Sequence, residues 1–168
     1  MKGKMTSKMA GKMPAAAMTT PGYSRLLWMT VLSFAFMYCL MYAMVDRFEN
    51  VWGSYNQFYM AALMTSPMVG LELLLMGHMY ANKRRNALLV GLSAVALVVF
   101  WLLIRQQVAI DDRQFLRSMI PHHAGAILMC EQASLKDPRI ADLCKGIIAS
   151  QTEEIARMKA LLGKPPES

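Results

Sequence analysis

The chain has 168 residues, of which 55% are hydrophobic, and a formal net charge of +7 at pH 7. The hydrophobic residues form long blocks without the alternation of polarity that a half-buried helix needs, which excludes an ordinary soluble domain. The positive charge is concentrated in the N-terminal tail and one loop, and no basic face with interleaved aromatic residues occurs, which excludes nucleic-acid binding.

Residues 1–24 form a basic tail rich in Lys, Met, Ala and Gly, which predicts a disordered cytoplasmic segment. Its methionines recur every four residues, at Met1, Met5, Met9 and Met13. Two interpretations stay open. The tail either touches anionic lipid through its lysines or collects copper through its methionines.

Three apolar blocks follow, Leu26–Val45, Phe58–Gly77 and Ala87–Ile104. Each is close to the ~20 residues that a helix needs to cross a bilayer. Residues 25–105 are therefore predicted to be a three-helix transmembrane region. The first block is too long for a removable signal peptide, and we interpret it as a signal anchor.

The charged residues between these blocks predict the orientation. Lysines precede the first span and Lys83–Arg85 lie between the second and third, whereas the Asp46–Glu49 loop is net acidic. Because basic loops stay in the cytoplasm, we expect a cytoplasmic N-terminus and an extracytoplasmic segment after Arg105. This is the topology of an inner (plasma) membrane protein with a periplasmic C-terminal domain.

The second span carries a methionine at every fourth position, interrupted once by an acid. We call this series of residues the methionine stripe. Methionine packs well in irregular helix interfaces, which is the simpler explanation of the series. The acid is harder to explain this way, because an ionisable group inside a bilayer usually faces a bundle interior or a functional partner. Whether these spans transport copper is left open. The stripe consists of Met60, Met64, Met68, Glu72 and Met76.

Residues 108–163 are predicted to form a helical hairpin. Asp111 and Asp112 open the first helix, which is expected to end near Ser134. Whether this helix is continuous with the third span is left open. Asp137 is the expected N-cap of the second helix, with Pro138 at its first position. That helix is expected to end near Leu162.

Folding the hairpin about Asp137 brings Cys130 opposite Cys144 and His123 opposite Gln151. This register is approximate. The two cysteines are expected to form a disulfide or to pack together, with thiolate ligation of a metal less favoured.

The hairpin also carries a set of metal-ligand side chains at helical spacing. Imidazole nitrogen together with thioether sulfur favours copper, and Cu(I) over Cu(II). The 17 methionines of the chain point the same way. The predicted metal ligands are Met119, His122, His123, Met129, Gln151, Glu154 and Met158.

The first hairpin helix has two neighbouring apolar ridges, and a lone hairpin cannot bury both. One ridge can face the second helix while the other faces a second chain, which predicts a homodimer with a four-helix bundle. The ridges are Phe115, Met119, His122, Ala126 and Met129, and Leu116, Ile120, His123, Ile127 and Cys130.

The motif Met119-Ile-Pro-His-His-x-Gly-Ala-Ile-x-Met129, with Asp112-x-x-Phe115 before it and Ile148-x-x-Gln-x-x-Glu-Ile-x-x-Met158 after it, resembles the family called domain of unknown function 305. The resemblance covers roughly residues 108–162. It implies a ferritin-like periplasmic hairpin that binds copper through the predicted ligands. Members often carry two hairpins in one chain, whereas one is present here, which again favours a dimer.

These observations predict an all-α, membrane-anchored copper-binding protein that buffers, delivers or detoxifies periplasmic copper, by binding rather than catalysis. Copper-handling proteins are its expected partners. The alternatives are a ferritin-like di-iron redox protein and a structural dimerisation module without metal. No His stands three residues after a Glu, which disfavours the di-iron alternative.

Overall fold

A computed structural model of the chain describes residues 22–163. The Met-rich repeat of the tail lies outside the described residues, and so do residues 164–168. Within 22–163 the chain forms five α-helices and no β-strand. The helices are α1 Tyr23–Leu40, α2 Tyr55–Met76, α3 Lys83–Arg105, α4 Asp112–Gln132 and α5 Pro138–Leu162.

Three segments are long and apolar enough to cross a membrane: Tyr23–Met44, Tyr55–Met79 and Lys83–Arg105. The first and second include short 3₁₀ extensions of α1 and α2. The second segment is the most buried of the three, because α2 packs against both α1 and α3. Of its most apolar 18 residues 28% are buried, against 6% in each of the other segments. The helix α2 is thus the centre of the three-helix group.

Small side chains allow α3 to approach α2 closely. The Ser93 hydroxyl donates a hydrogen bond to the Ser66 carbonyl oxygen at 2.9 Å. A Cβ atom placed on Gly70 would lie only 2.7 Å from the Ser93 Oγ. The absence of a side chain at Gly70 is therefore what makes room for this contact. The remaining buried residues of this face are Ala61, Ala62, Thr65 and Leu73.

The methionines of the methionine stripe in the second span are exposed within one chain. All four are 37–46% exposed, so they do not fill an interface between the helices of one chain. Within one chain, small residues rather than methionines make up most of the buried face of α2. The exposed members are Met60, Met64, Met68 and Met76.

Glu72 has a polar partner from its own end of the helix group. The Tyr80 hydroxyl donates a hydrogen bond to Glu72 Oε1 at 3.2 Å. Tyr80 is buried against Leu26 and Leu73, and its ring lies 5.4 Å from that of Tyr23. The acid is therefore held by an aromatic cluster at the end of the spans away from the hairpin.

The third span does not continue into the hairpin. After α3 ends, Gln107 and Ala109 adopt positive φ angles of 50° and 58°, which turn the chain before α4 begins. Helical φ angles are negative, so these two residues interrupt the helix. The third span and α4 are therefore separate helices, and Pro121 lies inside α4 without ending it.

The hairpin consists of α4 and α5 packed against each other. Aspartates begin both helices as N-caps: Asp111 accepts a hydrogen bond from the Gln114 amide, and Asp137 accepts one from the Arg139 amide. Pro138 stands at the start of α5, and Gly163 follows its end, as expected. Helix α4 ends at Gln132, two residues before Ser134. The buried core is Ile120, Ala124, Ile127, Ile155 and Met158.

The hairpin rests on the ends of the first two spans. A Cβ atom on Gly125 would lie 3.4 Å from the Met44 carbonyl oxygen, so α4 passes close to the backbone at the end of the first span. Val45 and Trp52, from the loop between the first two spans, pack against the hairpin core. The core of the hairpin therefore extends onto the loop that joins the spans.

Candidate metal centre

The clearest polar contact inside the hairpin joins His123 on α4 to Glu154 on α5. Their Nδ1 and Oε2 atoms are 3.3 Å apart. The His123 side chain is 14% exposed and that of Glu154 is 50% exposed, so the carboxylate reaches from solvent toward a largely buried ring. Despite this approach, Nδ1 is buried and makes no hydrogen bond.

Burial lowers the pKa of His123 below its ordinary value of 6.5, and the neighbouring His122 lowers it further. The Glu154 carboxylate acts in the opposite direction but does not reverse the shift. At neutral pH the ring is therefore neutral. A neutral imidazole is the form that binds a metal, so His123 needs no proton loss to act as a ligand.

Two of the predicted thioether ligands belong to the hydrophobic core of the hairpin, between the two helices that carry His123 and Glu154. Met158 is buried at 8% exposure, and Met119 packs against the same cluster. Both belong to the interior between α4 and α5. Gln151 is half-buried on α5, one helical turn before Glu154. We call Met119, His123, Gln151, Glu154 and Met158 the inner set.

The other two predicted ligands lie on a different face. His122 is exposed, and its ring centre is 6.0 Å from that of His123. Met129 is 55% exposed. These two residues form the outer set. The structure thus divides the seven predicted ligands into an inner set in the hairpin and an outer set on its surface.

The two apolar ridges predicted for α4 have different environments. The ridge that contains Ile120 and Ile127 is buried against α5. On the ridge that contains the outer set, Phe115 and Met129 are 50% and 55% exposed, whereas Met119 packs against the hairpin core. We call this second ridge the open ridge.

Cys130 and Cys144 form a disulfide with their Cα atoms 5.3 Å apart. Of the alternatives left open by the sequence, the structure therefore selects the disulfide. The pairing agrees with the predicted register about Asp137. His123 contacts Glu154, which lies one turn beyond the Gln151 expected opposite it.

Sequence reasoning missed the part that the loop between the first two spans plays. The Arg117 guanidinium lies 5.9 Å from the centre of the Trp52 ring, and Trp52 covers one side of the hairpin core. The one indication of this contact in the sequence is the position of Trp52, an aromatic residue in a loop that also carries charged residues.

Within residues 22–163, no group of three or more His, Cys, Asp and Glu side chains is close enough to hold a metal ion. A metal centre built from the inner set must therefore include thioether or amide donors.

Comparison with known proteins places the hairpin in a described family. Residues 103–162 match the family model "Domain of unknown function (DUF305)". The chain is 40% identical over 110 residues to "Uncharacterized protein L153" of Acanthamoeba polyphaga mimivirus, an alignment that covers 64% of this chain and 70% of that protein. No solved structure matches the chain.

Proposed function

This chain belongs to the DUF305 family, and we propose that it is a membrane-anchored copper-binding protein that buffers, delivers or detoxifies copper. The proposed ligand is Cu(I) in preference to Cu(II). The proposed activity is binding without catalysis, with other copper-handling proteins as exchange partners.

The observation that carries this proposal is the environment of His123. A buried polar atom without a hydrogen bond is rare in proteins, so the lack of a hydrogen bond to His123 Nδ1 needs an explanation. Here the Nδ1 atom has no such bond and lies beside a carboxylate, while two thioethers belong to the adjoining core. A ring nitrogen that is neutral, shielded and unpaired is suited to a metal ion.

The chemistry of the inner set favours copper over harder ions. Thioether sulfur is a soft donor that selects Cu(I), whereas Mg²⁺ and Ca²⁺ prefer sites made of oxygen atoms. Imidazole suits Cu, Zn and Fe alike. The methionines therefore provide the selectivity, and His123 anchors the ion between the two helices.

The open ridge supports the second part of the proposal, a homodimer. A second copy placed on Phe115 and Met129 would bury apolar surface that one chain leaves exposed. Two hairpins joined in this way make a ferritin-like four-helix bundle. The outer set would then lie at the interface, with His122 able to serve a second ion.

For localisation we propose the inner membrane, with the N-terminus in the cytoplasm and the hairpin in the periplasm. Basic residues on one side of the spans support this orientation. The Cys130–Cys144 disulfide supports it independently, because such bonds persist in oxidising compartments.

The proposal is tested by measuring Cu(I) affinity of the full chain in detergent by competition with a chromogenic chelator. We expect His123→Ala to weaken binding strongly, because it removes the only imidazole of the inner set. His78→Ala is the matched control, because His78 is exposed at the opposite end of the second span. Equal affinity of the His123 variant and the wild type would contradict the site.

A further inference from the structure

A cavity with a volume of 650 Å³ lies where the hairpin meets the first two spans. Its walls come from the hairpin end of α1, the start of α2 and the start of α4. Phe34, Tyr38, Phe58 and Tyr59 make its aromatic part. Phe58 and Tyr59 lie in the first turns of the second span, at the end where aromatic residues commonly meet lipid headgroups, whereas Phe34 lies near the middle of the first span. The cavity is separate from the inner set.

Among the described residues that line the cavity, the one formal charge is the Arg117 guanidinium. Its Nε atom is buried and has no hydrogen-bond partner, and no carboxylate among the described residues forms an ion pair with it. The Trp52 ring lies against the guanidinium but offers it no conventional hydrogen-bond acceptor. A partly buried cation without an acceptor is costly, so this position is suited to an anion.

Two further side chains of the wall have the same surplus of donors. The Ser54 hydroxyl oxygen accepts a hydrogen bond from the Gln57 amide, and the Gln114 side-chain oxygen accepts one from the Tyr55 amide. Their oxygens are thus engaged, while the Ser54 hydroxyl hydrogen and the Gln114 side-chain NH₂ have no acceptor among the described residues. The three polar groups therefore present hydrogen atoms and offer few free acceptors.

We propose that this cavity binds the phosphate group of an anionic phospholipid from the leaflet on the hairpin side. A phosphate supplies the charge and the several acceptor oxygens that Arg117, Ser54 and Gln114 lack, and guanidinium binds phosphate through paired hydrogen bonds. The volume exceeds what inorganic phosphate needs and leaves room for a glycerol backbone. Phe58 is 45% exposed at the rim, where acyl chains would pass.

The lining also predicts which headgroup is favoured. The charged group of the described wall is the Arg117 guanidinium, with no Asp or Glu to offset it, so the wall repels the ammonium group of a zwitterionic lipid. Phosphatidylglycerol is therefore expected to bind more tightly than phosphatidylcholine. The bound lipid would connect α4 to the first two spans and fix the orientation of the hairpin on the membrane. This inference does not depend on copper binding.

The test is native mass spectrometry of the delipidated full chain in a non-ionic detergent with added lipid. We expect a phosphatidylglycerol adduct that is retained better than a phosphatidylcholine adduct. Arg117→Gln should reduce the retained adduct about tenfold, as expected for the loss of a charged hydrogen bond. Arg113→Gln is the matched control, because Arg113 is exposed one turn earlier on α4 and outside the cavity.

Three results would overturn the proposal. They are equal retention of the two lipids by the wild type, an unchanged adduct in folded Arg117→Gln protein, and an equal loss in the Arg113 control. A competition between the lipid and inorganic phosphate distinguishes a lipid site from a site for a soluble anion. Displacement of the lipid by an equal concentration of inorganic phosphate would show that the site takes a soluble anion, whereas retention supports a lipid. The comparison of lipids on wild-type protein stays decisive even if the Arg117 variant does not fold.

Discussion

His123 Nδ1 lies 3.3 Å from Glu154 Oε2, and this contact joins the two helices of the hairpin through groups that a metal could use. The ring is largely buried while the carboxylate is half exposed. The pair therefore combines a shielded nitrogen with an acid that solvent and ions can reach.

The titration of metal-free His123 is the first prediction. Burial lowers its pKa below 6.5, so we expect the ring to titrate below that value in an NMR titration. Glu154→Gln should lower the pKa further, because it removes the carboxylate that favours the charged ring. Glu153→Gln, an exposed neighbour, should leave it nearly unchanged. A pKa above 6.5 in the wild type would contradict the buried environment.

This titration also sets the sign of a dependence of stability on pH. Between the folded-state pKa and 6.5 the unfolded chain binds more protons, so the free energy of unfolding rises with pH through that window. Acidification below 6.5 should destabilise the metal-free wild type more than the His123→Ala variant. Parallel pH profiles of the two proteins would contradict this expectation.

The disulfide is the second prediction. It closes a short loop that contains the turn between α4 and α5, with a sequence separation of 14 residues. Replacing Cys130 and Cys144 by Ala should lower the stability of the hairpin by about 3 kcal/mol, the loss expected for a loop of this length. Thermal unfolding monitored by circular dichroism measures the loss. The control is Cys39→Ala, because Cys39 is a free thiol in α1.

Close packing of the spans gives the third prediction. Gly70→Ala should lower the melting temperature in detergent, because the new methyl group would meet Ser93 Oγ at 2.7 Å. Forced overpacking costs roughly 1–3 kcal/mol. Gly91→Ala in α3 is the control, because it makes the same substitution in a helix. A Cβ atom on Gly91 would have no atom within 4 Å, so this variant should be neutral or slightly stabilising. A Gly70 variant as stable as the Gly91 variant would contradict the packing of α2 on α3.

Dimerisation through the open ridge is the fourth prediction. Phe115→Glu should shift the protein toward a monomer in detergent, because a charge would replace a large apolar contact. Leu161→Glu is the control, since Leu161 is equally exposed but lies near the end of α5. Mass photometry or crosslinking measures the change. A wild type that is monomeric at all concentrations would contradict the proposed bundle.

Periodicity and capping made most of the helical architecture predictable. Long apolar blocks identify the three spans, and Asp137 with Pro138 marks the start of α5 correctly. The break after α3 was not predictable, because Gln107 and Ala109 carry no preference for the positive φ angles that they adopt. The packing of neighbouring helices sets that turn.

The grouping of the seven predicted ligands into an inner and an outer set was not predictable from the sequence. Helical spacing places His122 and His123 about 100° apart around α4, which separates them onto two ridges. It does not say which ridge faces α5. The methionine stripe of α2 shows the same limit, because spacing alone could not tell its exposed face from the buried face around Gly70.

X-ray absorption spectroscopy of the full chain loaded with Cu(I) in detergent tests the central claim most directly. The proposal predicts a coordination shell with both nitrogen or oxygen and sulfur neighbours. It also predicts that Met158→Leu reduces the sulfur contribution, whereas Met68→Leu on the exposed face of α2 does not. Failure to retain copper, or a shell without sulfur, would contradict the proposed binding of Cu(I) between α4 and α5.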